Sequence, residues 1–492
     1  MSSWTRRSTS NLVLYWCAIA LLALVIVFGL VKPLLTLGRF IPLDSNEGWN
    51  AYFESKAISG GQLYPPVGAL ITNNYPPLSF YIVGAVGYLT GDNIFAGRAI
   101  ALLSLLGVSW IIYSWLRSTG SAARIALLGA GTFLAYAITY GRDYVAMNDP
   151  QWLAEVIMMA GLLVLWRGPD STRHIVTAAV LMMAAGWTKH LLLPLPLAAS
   201  LWLLWRSRPA FAKWALTSTV ALLLASALAW WLYGDAFFAG LLAPRQYLRR
   251  QALFATAGAL KCFAPLLVLW LLSLMRGRYN ERVGFVSLYL LISGGVGMLA
   301  SGGAGVDVNA FFDAMIAGSL AASLAVEMVW DRPPAAQPTA PATRGPAAAL
   351  ALATCIFAYA VVLVPHQLDQ IRRITPLEQA ALSDIRLIKS EGHGHAACEL
   401  PGLCYWARSE FMVDFFYFGQ RLKTGILPRS ACAAAFDGSG IPLLQLESNP
   451  KFRQKLLPAY CNEMILSHYK PLRESSLGPL LVPSAKHSAA QR

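Results

Sequence analysis

Stretches of about 20 consecutive apolar residues recur along this chain, and they constrain its fold more than any other feature. A helix of that length crosses the hydrocarbon core of a bilayer. The chain has 492 residues, of which 56% are hydrophobic and only 13% are charged, so a soluble protein of this size could not bury its apolar surface. The sequence therefore predicts an all-α polytopic membrane protein.

About eleven crossings are predicted from these segments. The first is too long for the core of a signal peptide and lacks a cleavage pattern, so we interpret it as a retained span. The apolar segment 78–90 is too short to cross, and we assign it to a juxtamembrane or re-entrant helix on the outer side. The stretch 174–205 is interpreted as two short helices broken at Lys189-His190. The predicted spans are 11–33, 97–116, 122–141, 150–166, 174–188, 191–205, 214–233, 254–275, 283–300, 310–330 and 347–365.

Charged residues sort onto two sides of these spans. A cytoplasmic N-terminus makes every inside loop basic, as the positive-inside rule requires, whereas a crossing at 78–90 would invert the pattern. The net charge of +14 is therefore explained by orientation, without a nucleic-acid partner. The inside loops carry Arg117, Arg124, Arg167, Arg173, Arg206, Arg208, Lys213, Arg276, Arg278, Arg282, Arg332 and Arg344. The outside loops carry Asp44, Glu47, Asp143, Asp149, Asp235, Asp307 and Asp313.

Composition divides the chain into a membrane module, 1–365, and an external domain, 366–492. The module has a long outer loop at about 37–96, and its Pro/Ala-rich stretch 332–344 is typical of a flexible inside linker. The external domain is predicted to be small, mixed α/β and large enough for its own core.

Four of the seven cysteines, Cys398, Cys404, Cys432 and Cys461, lie in the external domain. They can form two disulfides in three pairings, or remain buried thiols. The group His393, His395 and Cys398 has loose metal-like spacing, but without a second ligand pair an ordinary loop is the favoured interpretation.

Three carboxylates are the candidate catalytic groups. Asp44 and Glu47 are three residues apart in LDSNEGW, so one can act as a general base while the other orients a ligand or holds a metal. The alternative is helix capping, in which Asp44 is an N-cap followed by Glu47 in a capping box. Asp149 precedes Pro150 and has the same two interpretations. A catalytic role is favoured over capping alone, because two separate loops predicted to be external both carry acids at the mouth of a lipid-embedded bundle.

Three cations are candidates for gripping a phosphate. Lys189 interrupts the apolar run GWTKHLLLPLP, so it must face a cavity, pair with an acid or snorkel to the interface. Arg245 and Arg249 lie one helical turn apart in an outer loop, against the positive-inside trend. The other candidate substrate-binding residues are Asn74, Tyr75, Asp143, His190 and Asp307.

The chain resembles the polytopic glycosyltransferases of the GT-C fold, in particular bacterial relatives of protein O-mannosyltransferases and lipid A aminoarabinose transferases. The resemblance covers most of residues 1–330 and depends on the order of short motifs. Nucleotide-binding motifs such as GxGxxG and the P-loop are missing from the sequence, which agrees with a donor taken from the membrane. The motifs are LDSNEGWNAY, GGQLYPP, NNYPPLSFY, GRAIALLS, MNDPQW and the lysine of WTKH.

This resemblance implies inverting transfer of a sugar from a polyprenyl-phosphate donor to a hydroxyl acceptor at the outer face of a bacterial inner membrane. Asn46-Glu47 falls where the family commonly has Asp-Glu, so either Asp44 or Glu47 is the expected base. Asp149 matches the second-loop aspartate of the family. The resemblance leaves open whether a divalent metal ion is needed, because some members of the family use one and others do not.

Three other functions compete with this interpretation. A flippase or transporter for a lipid-linked substrate would place charged or broken helices near the bilayer midplane. A polysaccharide polymerase or ligase would use a diphosphate-linked glycan. In a structural membrane protein with a sensory domain, the candidate carboxylates would be helix caps only.

Overall fold

The protein is a bundle of long helices with a small α/β domain at its C-terminal end. The computed structural model describes residues 3–275, 280–330, 344–438, 440–449, 453 and 455–484. Short 3-10 turns lie at Arg142–Tyr144 and Val308–Phe311. The helices of the bundle are α1 (Ser3–Thr36), α2 (Ser45–Ser59), α3 (Leu78–Thr90), α4 (Asn93–Ser118), α5 (Ala123–Thr139), α6 (Gln151–Arg167), α7 (Thr172–Thr188), α8 (Pro194–Arg206), α9 (Arg208–Tyr233), α10 (Asp235–Leu241), α11 (Arg249–Leu274), α12 (Glu281–Ala300), α13 (Phe312–Trp330) and α14 (Arg344–Glu391).

Each of the eleven predicted spans corresponds to one of these helices, with ends that differ by up to a few residues, which confirms the predicted fold class. Seven helices in the described part of the chain are long and apolar enough to cross a membrane on their own. The segment of α13 is 89% buried and forms the centre of the bundle, whereas the segment of α9 is 6% buried and lies at its edge. An apolar helix with so little protein contact fits a position facing lipid.

Local signals in the sequence set several helix ends. Gly91, with φ of 82°, ends α3, and the side chain of Asp92 accepts hydrogen bonds from the first amides of α4. The predicted break at Lys189-His190 separates α7 from α8. The segment 78–90 is the separate helix α3, which packs against α2 and α4.

The predicted domain boundary and the predicted linker before the last span lie within α14 or directly before it. The domain boundary predicted at residue 365 lies inside α14, which continues to Glu391 because Pro365 and Pro376 are both accommodated within the helix. The predicted linker 332–344 lies outside the described residues except for Arg344, as does the loop that carries Arg276 and Arg278.

The C-terminal domain has its own apolar clusters and a four-stranded sheet of order β1-β2-β4-β3. Strand β1 runs parallel to β2, and β4 is antiparallel to both β2 and β3. The four cysteines pair as Cys398–Cys404 and Cys432–Cys461, so the alternative of buried thiols is wrong. The elements are β1 (Ala396–Cys398), α15 (Pro401–Trp406), α16 (Phe415–Lys423), α17 (Ser430–Phe436), β2 (Leu443–Gln445), α18 (Ala459–His468), β3 (Tyr469–Arg473) and β4 (Leu480–Pro483).

Close packing of α15 on α2 attaches this domain to the membrane module. A Cβ atom at Gly48 would overlap the backbone of Pro401 and Gly402, so only glycine allows the two helices to approach so closely. The hydroxyl of Tyr52 donates to the Ser409 carbonyl at 2.8 Å. The N-terminal turn of α2, which carries the predicted catalytic acids, is therefore covered by the C-terminal domain.

Candidate active site

A cavity of about 1540 Å³ lies between the membrane module and the C-terminal domain. Its walls combine a polar chamber with an apolar groove between α5, α11 and α14. The polar chamber is lined by Asp44, Asn46, Asn74, Tyr75, Lys189, His190, Arg245, Asp307, Asn309, Asp414, Tyr417 and Gln420. The apolar groove includes Tyr136, Tyr140, Phe254, Pro265, Ile356 and Tyr359.

Asp44 lies at the wall of the chamber, immediately before α2. Its side chain is half-buried and accepts a hydrogen bond of 2.8 Å from the Asn46 amide, so the capping interpretation holds and leaves the carboxylate facing the cavity. Burial is the main cause that raises the pKa of Asp44 to about 6; the hydrogen bond from the Asn46 amide lowers it, and the nearby carboxylates of Glu47, Asp149 and Asp307 raise it. A carboxylate with this pKa is ionised at neutral pH and remains basic enough to take a proton.

Glu47 points away from the cavity into the protein. Its side chain is fully buried, and Arg98 of α4 donates 2.7 Å hydrogen bonds from Nε and Nη2 to its two carboxylate oxygens. The Leu43 and Asn148 amides donate to the same carboxylate at 3.0 and 3.3 Å. With both oxygens occupied, Glu47 fastens α2 to α4 and to the loop before α6.

The loop before α6 is fixed by Asn148. Its side chain donates to the Glu47 carbonyl at 3.3 Å and to the Glu54 carboxylate at 3.0 Å. A Cβ atom at Gly97 of α4 would overlap the Asn148 side chain, so the glycine makes room for it. The two acidic loops, 37–44 and 141–150, are thus held together at one end of the bundle.

Asp149 and Lys189 form a buried ion pair at the edge of the chamber, with 2.7 Å between Nζ and Oδ1. The same Asp149 oxygen accepts from the Gln151 amide at 2.8 Å, which caps the start of α6. Lys189 lies in the break between α7 and α8, lines the cavity and faces the Tyr75 ring at 5.0 Å. The ammonium therefore faces the cavity while Asp149 neutralises it, and snorkelling to the interface does not describe its position.

Arg245 supplies a second cation. Its guanidinium stacks 4.9 Å from the Tyr417 ring centroid, contacts the Tyr417 hydroxyl and donates to the Ala304 carbonyl at 3.4 Å. His190 lies on the same wall, and burial lowers its pKa to about 4, with Arg245 and Lys189 lowering it further. His190 is neutral at physiological pH, so it adds no positive charge to that of its neighbours Lys189 and Arg245.

The other predicted residues divide into two groups. Asn74, Tyr75 and Asp307 line the chamber, and burial raises the pKa of Asp307. Asp143 lies outside the cavity lining, with its exposed carboxylate 3.8 Å from Arg142. Arg249, at the start of α11, is also exposed and is not part of the lining.

Two sets of residues at the site are absent from the sequence-based predictions. Arg98 has a recognisable signal, because an arginine inside an apolar span demands an anionic partner. Asp414, Tyr417 and Gln420 carry no such signal, since they lie in the aromatic-rich segment FMVDFFYFGQ, far along the chain. Only the folded structure places them in the lining of the cavity.

The polar side chains of the described residues do not form a metal centre: no three His, Cys, Asp or Glu side chains among them are grouped to share an ion. Cys398, once a candidate ligand with His393 and His395, is bonded to Cys404. The cavity lining offers carboxylates, among them Asp44, that can accept a proton, cations, among them Lys189 and Arg245, that can hold an anion, and an adjoining apolar groove.

No protein-family model and no curated protein sequence matches the chain. Among solved structures it is similar to ArnT from Cupriavidus metallidurans in the apo state, with a TM-score of 0.62 and 14% identity over 94% of this chain and 98% of that chain. It is also similar to ArnT from the same organism bound to undecaprenyl phosphate, with a TM-score of 0.60 and 14% identity over 95% and 98% of the two chains. The likeness confirms the GT-C fold expected from the sequence.

Proposed function

We propose that this protein is a membrane glycosyltransferase that moves a sugar from a polyprenyl-phosphate donor to a hydroxyl acceptor at the outer face of a bacterial inner membrane. In this orientation the N-terminus is cytoplasmic and the C-terminal domain is external. One observation carries the proposal: a single cavity joins the Asp44 carboxylate, the cations Lys189 and Arg245, and an apolar groove between α5, α11 and α14. The fold shared with ArnT, which has been solved with undecaprenyl phosphate, supports a donor of this class.

The groove and the cations fit the two parts of such a donor. An isoprenoid chain is apolar and needs a dry surface, which the aromatic and aliphatic side chains of the groove provide. The phosphate is an anion, which Lys189 and Arg245 attract at the polar end. The reacting anomeric carbon would then lie in the chamber, next to the phosphate and within the region that Asp44 faces.

The transfer step follows from these positions. Asp44 accepts the proton of the acceptor hydroxyl as its oxygen bonds to the anomeric carbon. The bond between that carbon and the phosphate oxygen breaks, and polyprenyl phosphate leaves with the electron pair. Lys189 and Arg245 stabilise the negative charge that develops on the phosphate, so the leaving group needs no separate acid. Attack from the face opposite the phosphate inverts the anomeric configuration.

The test compares Asp44→Asn with Asp143→Asn, an exposed acid outside the cavity lining. Both variants are expressed in a strain that lacks the protein, and the glycan or glycolipid missing from that strain is measured by mass spectrometry. Because a general base contributes about 100-fold or more, we expect Asp44→Asn to restore at most about one hundredth of the product formation rate. Asp143→Asn should restore it fully.

Wild-type product formation with Asp44→Asn would reject Asp44 as the base. If the purified protein moved the donor lipid from one leaflet of a vesicle membrane to the other without forming product, it would be a lipid carrier and not a transferase.

A further inference from the structure

One helix of the C-terminal domain, α16, bonds to the wall of the chamber that carries Asp44. Asp414 caps α16 by accepting from the Tyr417 amide at 3.0 Å. The other oxygen of this buried carboxylate accepts from Trp49 Nε1 at 2.9 Å. Trp49 is part of α2 and lines the cavity with Asp44. Asp414 therefore ties α16 to the helix that positions the proposed base.

The same helix also contacts Arg245, another residue of the chamber lining. The Tyr417 hydroxyl contacts the guanidinium of Arg245, whose plane lies near the rings of both Phe416 and Tyr417. Gln420, one turn later, accepts a 3.0 Å hydrogen bond from the Gln246 amide. A guanidinium held by two aromatic rings and a hydroxyl has few alternative rotamers.

We propose that α16 is a positioning helix, in which Asp414 and Tyr417 hold the Asp44-bearing helix α2 and the Arg245 guanidinium at a fixed separation across the chamber. This inference rests on the proposed transferase function and extends it, because the active site is then shared by the membrane module and the C-terminal domain. Neither residue reacts; each acts through a neighbour that does.

The separation matters because the base and the phosphate grip act on opposite sides of one carbon. In-line attack requires the acceptor oxygen, the anomeric carbon and the leaving oxygen to be aligned, and a displacement of about 1 Å can cost on the order of 100-fold in rate. Without α16, the hydrogen bond of 3.4 Å to the Ala304 carbonyl would restrain the Arg245 guanidinium only weakly. The two ties through α16 supply the missing restraint.

The experiment uses the full-length protein in nanodiscs, with undecaprenyl phosphate as the probe and transfer measured in parallel. Tyr417→Phe removes one hydroxyl, and we expect Kd for undecaprenyl phosphate and KM for the donor to rise about tenfold with kcat little changed. Asp414→Asn should lower kcat at least tenfold, because it loosens α2 beside the base. The Asp414 carboxylate also lies near Arg245, so removing its negative charge should lower Kd slightly and not raise it. The matched control is Tyr460→Phe, since Tyr460 stacks with Arg429 at 5.0 Å elsewhere in the same domain.

A double-variant cycle separates positioning from general stability. Once Arg245 is replaced in Arg245→Met, Tyr417→Phe should have no further effect on Kd. Additive losses, or equal losses of kcat and affinity in both single variants, would show that α16 only stabilises the fold and would overturn the inference. Should Tyr417→Phe fail to fold, Arg245→Lys tests the same stack, because it keeps the charge and loses the planar group.

The failure of this inference is distinguishable from the failure of the proposed function. A wild-type protein that does not bind undecaprenyl phosphate refutes the donor class. A wild type that binds it, with Tyr417→Phe and Asp414→Asn both behaving like Tyr460→Phe, refutes the positioning role alone.

Discussion

Replacing Glu47 by glutamine should destabilise the protein far more than replacing its neighbour Asp44 by asparagine. Glu47 and Arg98 are both buried, and two hydrogen bonds of 2.7 Å join them. Removing one partner of such a pair leaves a buried charge uncompensated, at a cost of about 3–5 kcal/mol.

The structure places the expected loss at the lower end of that range. Arg98 keeps hydrogen bonds to the carbonyls of Thr36, Arg39 and Ile41, at 2.8, 2.9 and 2.6 Å, and these satisfy part of its guanidinium. Glutamine also retains one acceptor oxygen. We therefore expect Glu47→Gln to lower the free energy of unfolding by about 3 kcal/mol, a large part of the roughly 5–15 kcal/mol typical of proteins.

The assay is reversible unfolding of the purified protein in mixed micelles, followed by tryptophan fluorescence. Asp44→Asn is the matched control, because asparagine caps helices as well as aspartate and the change in unfolding free energy should stay below about 0.5 kcal/mol. The effects on sugar transfer should have the opposite order. At temperatures at which both variants are folded, Asp44→Asn should lose more activity than Glu47→Gln. If Glu47→Gln unfolded like the wild type while transfer was abolished, Glu47 would be a reacting carboxylate and the assignment of Asp44 would be refuted.

Three other predictions follow from the site and the C-terminal domain. Because the base must be ionised and burial raises the pKa of Asp44 to about 6, kcat/KM should rise as pH increases through about 6. Burial also raises the pKa of Asp414 to about 6, so the control is Asp414→Asn, in which the same rise should persist. If the rise disappeared in that variant, it would belong to Asp414 and not to Asp44. Lys189→Met should weaken undecaprenyl phosphate binding at least tenfold in nanodiscs. In the control Arg249→Met, Kd should stay within twofold of the wild-type value. Equal losses in the two variants would contradict the placement of Arg249 outside the cavity lining. Replacing both members of the Cys432–Cys461 bridge by serine should lower the stability of the C-terminal domain by about 3–4 kcal/mol, measured by limited proteolysis, since the bridge closes a loop across a sequence separation of 29 residues; unchanged protection would contradict this.

Much of the fold could be predicted from the sequence because a bilayer imposes a fixed length on every apolar span. The short segment 78–90 was separated from the spans by its length, and the break at Lys189-His190 by the charge pattern of the loops. The same charge pattern brought Asp44 and Asp149 to attention, because acids beside a lipid-embedded bundle are rare. These are local properties, which a chain displays before it folds.

The roles of the individual acids could not be predicted in the same way. Asp44 and Glu47 are three residues apart and look equivalent in the sequence, yet one faces the cavity and the other is paired with Arg98. The difference depends on which side of α2 packs against α4. Asp143 and Arg249 were chosen by the same local criteria, and the structure leaves both outside the cavity lining.

By itself, the sequence determined that this protein is a helical membrane bundle and that the loops carrying Asp44 and Asp149 are acidic, because hydrophobic length and charge act over a few neighbouring residues. Tertiary structure alone decided which carboxylate is free, which cations face the cavity, and that α16 of the C-terminal domain lies between Trp49 and Arg245. Contacts between residues hundreds of positions apart form only when packing brings their helices together, so no local pattern in the chain could specify them.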